Sequence, residues 1–451
     1  MNSNGRIADY TFGSRERKPA RRSFSYSYQE KILGTVQHHH NYKLFLILTV
    51  LLSGVAPFLT STIARIDSGP RVLLSQPLTI RWRYESSVTL NLTPAFDSER
   101  IYLPLAGGTI VSLKATDGQL YWRSDMGGEL SASPVADESM VYVASETVGS
   151  DGEAHRSAGA LRALGREAGV TQWMTSLVKP LLGSLTISGE KLFAGGSDGR
   201  AYAFDKRTGA VFWSIPFGAP FSGQPVIENS RVYLGSEDGT LWALEESTGR
   251  MLWRYRTKGP IRGPVAVSGA TVYFGSGDGY VYAVSAEKGH LIWRKRTGAG
   301  VQAVSRVGES LLVASLDNFA YLFNLKGARL WKKQLPGRIS SQPLTLEDDA
   351  LFTPLSSSVA IVLALRDGRQ VNSLPTGNEI TSSASPIIVG NAVIVTTEKG
   401  LLAFAPPTDI TRPAPLLLDD QDLRLAGLAS IFASTGSARR QNTPRTRDSN
   451  P

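Results

Sequence analysis

Side-chain chemistry needs nucleophiles, proton carriers or metal ligands, and this sequence uses them sparingly. It contains no cysteine, which removes disulfides, thiolate metal sites and thiol nucleophiles in one step and leaves the redox compartment open. His38, His39 and His40 form a tract with no further ligand nearby, and it reads as a polar run ahead of an apolar segment rather than a metal site. The other two histidines, His155 and His290, lie far apart, and neither stands beside a triad partner. No phosphate-binding glycine loop, Gly-x-Ser-x-Gly elbow or metal-spaced histidine pair occurs. Carboxylates instead recur at a regular interval, at Asp198, Asp238, Asp278 and Asp317. A residue type repeated at one place in successive units serves the architecture of the unit, so these belong to turns. The same holds for Trp242, which stands where Tyr202 and Tyr282 stand. No catalytic, cofactor-binding or metal-ligating residue is assigned, no cofactor is expected, and the chain is not expected to be an enzyme.

Only departures from the repeat are candidates for function. One is the excursion Ser150-Asp151-Gly152-Glu153-Ala154-His155-Arg156, a binding loop or, more commonly for such a stretch, a tolerated surface insertion. Another is a basic set, Arg254, Arg256, Lys258, Arg294, Lys295, Arg296, Lys332 and Lys333, which follows a tryptophan in three successive units. Such a set attracts an acidic partner; charge that keeps an outer strand soluble and unpaired is the commoner explanation. The net charge of +9 raises the question of nucleic acid. Residues 1–43 hold eight Lys and Arg against three Asp and Glu, whereas residues 44–406 hold 34 against 31. The surplus is concentrated in the leader and forms no stripe across the body, so nucleic-acid binding is disfavoured.

The elements that must position these residues form a repeat. Residues 235–253 recur forty positions earlier, as 195–213, and forty later, as 275–293, each copy opening on glycine and closing on tryptophan. Trp122, Trp173, Trp213, Trp253, Trp293 and Trp331 are separated by 51, 40, 40, 40 and 38 residues, the long interval holding an excess of eleven placed in 148–159. A seventh copy has Asn372 in the tryptophan position, and an eighth, from about Thr381 through Phe404, stops without its last strand. Arg81-Trp82-Arg83-Tyr84 reads like Leu252-Trp253-Arg254-Tyr255 and has no preceding unit of its own. The arrangement that uses every piece is an all-β, eight-bladed propeller of four-stranded blades over residues 80–406, in which the strand around Trp82 completes the blade begun by residues 381–406. Strands from both chain ends then remove the open edge. Within one blade, residues 224–227, 231–234, 240–244 and 250–255 read as the strands from inner to outer, with turns at Asp238-Gly239 and Thr248-Gly249.

Residues 203–213 fit Ala-x-Asp-x-x-Thr-Gly-x-x-x-Trp without a mismatch, through Asp205, Thr208, Gly209 and Trp213. Thr248, Gly249 and Trp253 repeat the pattern in the next unit, and Gly289 and Trp293 in the one after. This resembles the tryptophan-docking motif of the PQQ-like repeat, found in quinoprotein dehydrogenase propellers and in the BamB family of outer-membrane protein assembly scaffolds. The resemblance covers roughly residues 80–406. It implies that Trp82, Trp122, Trp173, Trp213, Trp253, Trp293 and Trp331 dock one blade on the next. Each indole is able to bury some 200 Å² between sheets, its N–H reaching a backbone acceptor of the neighbouring blade, while Asp205 and Thr208 hydrogen-bond the turn that aims it. The motif speaks for fold more than for activity. The dehydrogenases set a vicinal cysteine pair against the quinone and hold Ca²⁺ with Glu, Asn and a catalytic Asp; this chain has no Cys and no loop in which that set is found, so PQQ is not expected.

Residues 1–42 are polar and basic and read as a disordered cytoplasmic segment. Residues 44–60 carry no charge, and 43–64 reach the length of a membrane span. Basic residues precede it in excess, which puts the N-terminus in the cytoplasm and the body outside. A cleaved signal peptide is the rival reading, against which stand the long leader and Pro57 directly after Ala56. Residues 65–79 read as a linker, and 407–451 as a tail with a short helix in 418–433 before a disordered end. The expectation is a non-catalytic, single-pass protein of a bacterial inner membrane whose periplasmic propeller holds envelope-protein partners, similar to BamB. A propeller that binds PQQ or another small ligand, related to quinoprotein dehydrogenases, is the alternative. BamB-like proteins carry a lipidated cysteine, which this chain lacks, so its anchor would hold it at the opposite membrane.

Overall fold

Short runs of β-branched and aromatic residues cut by glycine turns favour paired strands over helices. The computed structural model describes residues 71–407, apart from 87, 88, 90 and 148–157. The expected leader, membrane span and tail helix, and the excursion at 150–156, lie outside the described residues. All regular elements among the described residues are strands, and none is a helix long and apolar enough to cross a membrane.

Blade four shows how the sequence builds one unit. Val226–Glu228, Arg231–Gly235, Thr240–Glu245 and Met251–Arg256 pair antiparallel in that order. The two middle strands are buried on both faces and so read as nearly continuous apolar runs, while the outer strand alternates. Gly239 and Gly249 take φ values of 85° and 72° at the two hairpins, backbone that a side chain disfavours. The inner strand begins at Val226, two residues later than the sequence pattern suggests, because Pro225 has no N–H to give to a ladder.

Eight such sheets follow one another around a ring. The outer strands of the other blades that end on a continuous chain are Leu120–Asp125, Thr171–Leu177, Val211–Pro216, Leu291–Arg296, Arg329–Gln334 and Gln370–Pro375, in blades one, two, three, five, six and seven. Blade three gains a fifth strand, Ala132–Ser133, lying parallel to its innermost one. Blade eight takes Ile387–Val389, Ala392–Thr397 and Gly400–Ala405 from one end of the propeller sequence and Thr79–Glu85 from the other. Trp82 pairs with Ala403 and Tyr84 with Leu401, so the expected two-ended closure is present.

The core is correspondingly divided. Eight apolar clusters each draw on two neighbouring blades, and the last joins Trp82, Leu401 and Ala403 of blade eight to Ile101, Leu103 and Val111 of blade one. The circle of contacts is therefore complete. Residues 71–78, within the stretch read as a linker, pack on the ring. Val72, Leu74 and Leu78 are buried against Leu351 and Val362 of blade seven and Val393 and Phe404 of blade eight, because the apolar side chains there have no other cover.

Candidate functional site

The docking residues act by one geometry. In each blade the ladder to the outer strand slips by one residue immediately before the tryptophan position, a bulge that turns the following side chain toward the next blade. Trp82, Trp122, Trp173, Trp213, Trp253, Trp293 and Trp331 then donate their indole N–H to the carbonyls of Ala115, Arg166, Lys206, Glu246, Ala286, Leu325 and Leu365 at 2.7–3.1 Å. Each ring lies on the glycine of the turn that carries its acceptor. A Cβ at Gly209, Gly249 or Gly289 would come within 2.4–2.6 Å of the Trp173, Trp213 or Trp253 ring. Asp205 accepts from the N–H groups of Arg207 and Thr208 at 2.7 and 3.2 Å, and the Thr208 hydroxyl accepts from Ala210 at 3.3 Å. Thr248 donates to Glu245 and accepts from Arg250.

Asn372 uses the same bulge for a different partner. Its amide donates to the carbonyls of Leu74 and Gln76 at 2.9 and 2.6 Å. In blade eight the position of the usual glycine turn is the gap between Ala405 and Thr79, and residues 71–78 fill it. A flat ring has no glycine to lie on there, and a short amide reaches the substitute backbone.

The recurring aspartates are absorbed by their turns. Asp198, Asp238, Asp278 and Asp317 each accept from the N–H two residues on. Asp198, Asp278 and Asp317 also accept the hydroxyls of Tyr202, Tyr282 and Tyr321. Burial first, and then the adjacent carboxylate, holds these phenols well above the ordinary tyrosine range, so none donates its proton near neutrality. Trp242 replaces the tyrosine and donates to Ser236 instead. One ionic knot between blades one and two carried no sequence signal: Arg166 bonds Asp97 at 2.7 Å, Glu99 at 3.0 Å and Glu167 at 2.8 Å, and Arg100 also bonds Glu167.

Around the axis, the starts of the inner strands from all eight blades line a funnel of about 730 Å³. Its wall is rich in hydroxyls and amides. Gln342 donates its backbone N–H to Ser385, Ser385 to the Thr93 hydroxyl and Thr93 to Ser133, at 3.0–3.1 Å, which stitches blades seven, eight and one to the short strand Ala132–Ser133 that leads into blade two. The one charged lining residue is Arg262, which is clamped by Glu237 at 2.7 and 2.9 Å. The Arg262 hydrogen bond holds the Glu237 carboxyl below the usual range, against the opposing effect of burial. A quinone–calcium group needs oxygen ligands converging on one point, carboxylates among them. The wall offers neutral donors, and no group of three or more His, Cys, Asp or Glu able to hold a metal occurs among the described residues. These residues do not fit that group.

The basic set lies on the rim. Arg254, Arg256, Arg294, Lys295, Arg296, Lys332 and Lys333 are exposed on the outer strands of blades four, five and six, with Lys258 just beyond. Arg254 sits over the Trp242 ring at 5.6 Å, Arg294 over Tyr280 at 4.9 Å and Lys332 over Phe319 at 3.7 Å. His290 is exposed in the turn before Leu291, apart from this row.

A closed ring of eight docked, four-stranded blades defines a β-propeller of PQQ-like repeats. The sequence family described as outer membrane protein assembly factor BamB matches residues 73–156, 157–263 and 257–409, and the chain belongs to that family. Among solved structures it is similar to BamB from Moraxella catarrhalis at 17% identity, covering 74% of this chain and 99% of that one with a TM-score of 0.61. The computationally designed Ika8 protein matches at 15% identity over 72% of this chain and 99% of its own, with a TM-score of 0.61. Quinohemoprotein alcohol dehydrogenase ADHIIG from Pseudomonas putida HK5 matches at 12% identity over 79% of this chain and 81% of its own, with a TM-score of 0.59. At these identities the likeness is one of fold. No curated protein sequence matches the chain.

Proposed function

We propose that this chain is a non-catalytic scaffold of the bacterial cell envelope, which holds partner proteins on a rigid ring tethered to the inner membrane. In this reading residues 43–64 form a single-pass anchor, with the N-terminus in the cytoplasm and the propeller in the periplasm. The observation that carries it is the docking itself. The recurrent tryptophans are committed to joining blade to blade and the recurrent aspartates and tyrosines to the turns of their own blades, which leaves a stiff body whose variable parts are its surfaces. Membership in the BamB family supports a role in the assembly or monitoring of envelope proteins. Affinity capture of the full chain from solubilised membranes tests this: a reproducible envelope-protein companion is expected, and recovery of none counts against scaffolding.

The axial funnel, with its wall of hydroxyls and amides, supports a second reading, a propeller that binds a small ligand. PQQ enters that reading only through the likeness in fold to a quinohemoprotein dehydrogenase, since the wall does not fit a quinone–calcium group. Incubation with PQQ and Ca²⁺ separates the two. A bound-quinone spectrum with dye-linked oxidation of alcohols or sugars would overturn the scaffold.

A further inference from the structure

The rim breaks the symmetry of the ring in one place. Every blade ends in an outer strand with a free edge, and cations on such a strand discourage unwanted pairing. If that were their whole purpose, every blade would need them. The outer strands of blades four, five and six read Met-Leu-Trp-Arg-Tyr-Arg, Leu-Ile-Trp-Arg-Lys-Arg and Arg-Leu-Trp-Lys-Lys-Gln, with eight cations and no carboxylate. The outer strands of blades two, three and seven carry no charge at all, and those of blades one and eight mix Arg with Asp or Glu. Among the described residues, Arg256 has Asp238 at 3.8 Å, and no carboxylate reaches salt-bridge distance of Arg254, Lys258, Arg294, Lys295, Arg296, Lys332 or Lys333. Like charges gathered on one stretch of rim set up a positive field there that the rest of the ring lacks.

Apolar side chains stand beside the row. Met251, Leu291, Ile292 and Leu330 are 46%, 45%, 55% and 54% exposed, and Ile292 and Leu330 are the extra residues of their bulges, which push them outward. Each strand thus presents an apolar group and, beyond the tryptophan, a cation resting on an aromatic ring of its own blade. Heads held in this way lose less freedom when they bind.

We propose that the rim of blades four to six is a docking surface for an acidic segment of a partner protein, one that alternates carboxylates with apolar side chains. This rests on the scaffold reading and adds the surface and the chemistry of the partner. Carboxylates pair with Arg254, Arg294 and Lys332, and apolar groups cover Met251, Ile292 and Leu330. A membrane surface matches less well. The chain enters the ring through residues 71–85 in blade eight, which stands opposite blade four in a ring of eight.

The test uses the full chain in detergent and a labelled peptide in which Glu and Leu alternate between Ser spacers, with a Gln-for-Glu counterpart. Two variants carry the same change in charge: R294E/K295E/R296E on the rim, and R207E/R369E/K399E on exposed turns of blades three, seven and eight. Unchanged urea midpoints establish that both are folded. The Glu peptide is expected to bind, with a loss of about tenfold or more for the Gln peptide or the rim variant and less than about threefold for the turn variant. Equal losses in the two variants would reduce the effect to net charge and overturn the proposal. Pelleting with phosphatidylglycerol vesicles that vanishes in the rim variant, without peptide binding, would assign the row to lipid and overturn it too, as would tighter binding of duplex DNA than of the Glu peptide. A companion captured equally by wild type and rim variant would leave scaffolding standing and remove this surface. Peptide binding lost in the rim variant, with no companion in membranes, would support the surface while removing the scaffold reading.

Discussion

A docked indole is held by its buried ring, by one N–H···O bond and by the missing Cβ beneath it, and these differ in size. Trp253 is 6% exposed, donates to Ala286 at 2.8 Å and lies on Gly289. Burial of roughly 200 Å² at about 25 cal/mol per Å² amounts to several kcal/mol, against about 1 kcal/mol for the hydrogen bond. Trp253→Ala should therefore cost about 3–5 kcal/mol, Trp213→Ala a similar amount, and Trp253→Phe, which keeps a ring, about 1–2 kcal/mol. Urea midpoints decide this, and equal costs for Ala and Phe would mean that the N–H, not the ring, joins the blades. Gly289 has φ at 70° and an added Cβ would meet the Trp253 ring at 2.6 Å. Gly289→Ala should cost about 1–3 kcal/mol and shift tryptophan emission to the red as the ring is displaced; unchanged emission would remove the packing argument. Glu237 sets the sign of an acid response. Its folded carboxyl lies below the ordinary value of 4.5 because Arg262 bonds its charged form. As pH falls the unfolded chain takes up the proton first, so this stabilisation is complete above 4.5 and is lost as pH drops through the lower folded value. Midpoints followed from about pH 6 to about pH 3 should fall less steeply in E237Q than in wild type; parallel curves would show the pair to be screened by solvent.

At the scale of the element, the outer strand and its turn carry most of what was legible beforehand. Glycine and tryptophan recur at one interval, so the period, the number of blades and the strand around Trp82 could be read from residue types alone. The bulge before each tryptophan could not. It is a property of backbone register, and its extra residue ranges from Arg81 and Gln172 to Phe212 and Ile292, so no single residue type marks it. Asn372 was visible as a departure, but its partners lie almost 300 positions away in a segment too short to announce itself as packed. The funnel hydroxyls were hidden for another reason, since Ser and Thr are ordinary residues of loops and strand ends. The role of Asn372 is open to a direct check. Asn372→Leu keeps the size and takes the donor away from the part-buried Leu74 carbonyl and the exposed Gln76 carbonyl, at a cost of about 1 kcal/mol in urea unfolding. Asn372→Trp should be worse than Asn372→Leu, because residues 72–76 fill the room that a turn glycine leaves elsewhere. A tryptophan variant as stable as wild type would make Asn372 merely tolerated.

The whole ring depends on one pairing between distant parts of the chain, Thr79–Glu85 with Gly400–Ala405. Chain-closure entropy grows only slowly with the length of the loop, so the closure is decided by what it buries. Trp82 docks on blade one through Ala115, Leu74 and Leu78 cover blades seven and eight, and Asn372 ties the approach down. Without these residues the strand Gly400–Ala405, Gly-Leu-Leu-Ala-Phe-Ala and now fully buried, becomes an apolar free edge, a template for pairing with another copy. A chain beginning at residue 87 should therefore self-associate, seen by light scattering. The place of the strand in the ring matters and its covalent attachment does not, so a synthetic peptide of residues 71–86 should restore a monodisperse protein and raise its urea midpoint. Trp82→Ala in that peptide removes about 3–5 kcal/mol, which corresponds to about a hundredfold or more in affinity. Omitting residues 71–78 separates the two parts of the closure: a peptide of 79–86 should pair with the edge yet leave Asn372 and the cover of blades seven and eight unmet, and bind more weakly. Equal rescue by the short and long peptides would show that residues 71–78 merely rest on the ring, and that the outer strand alone shuts it.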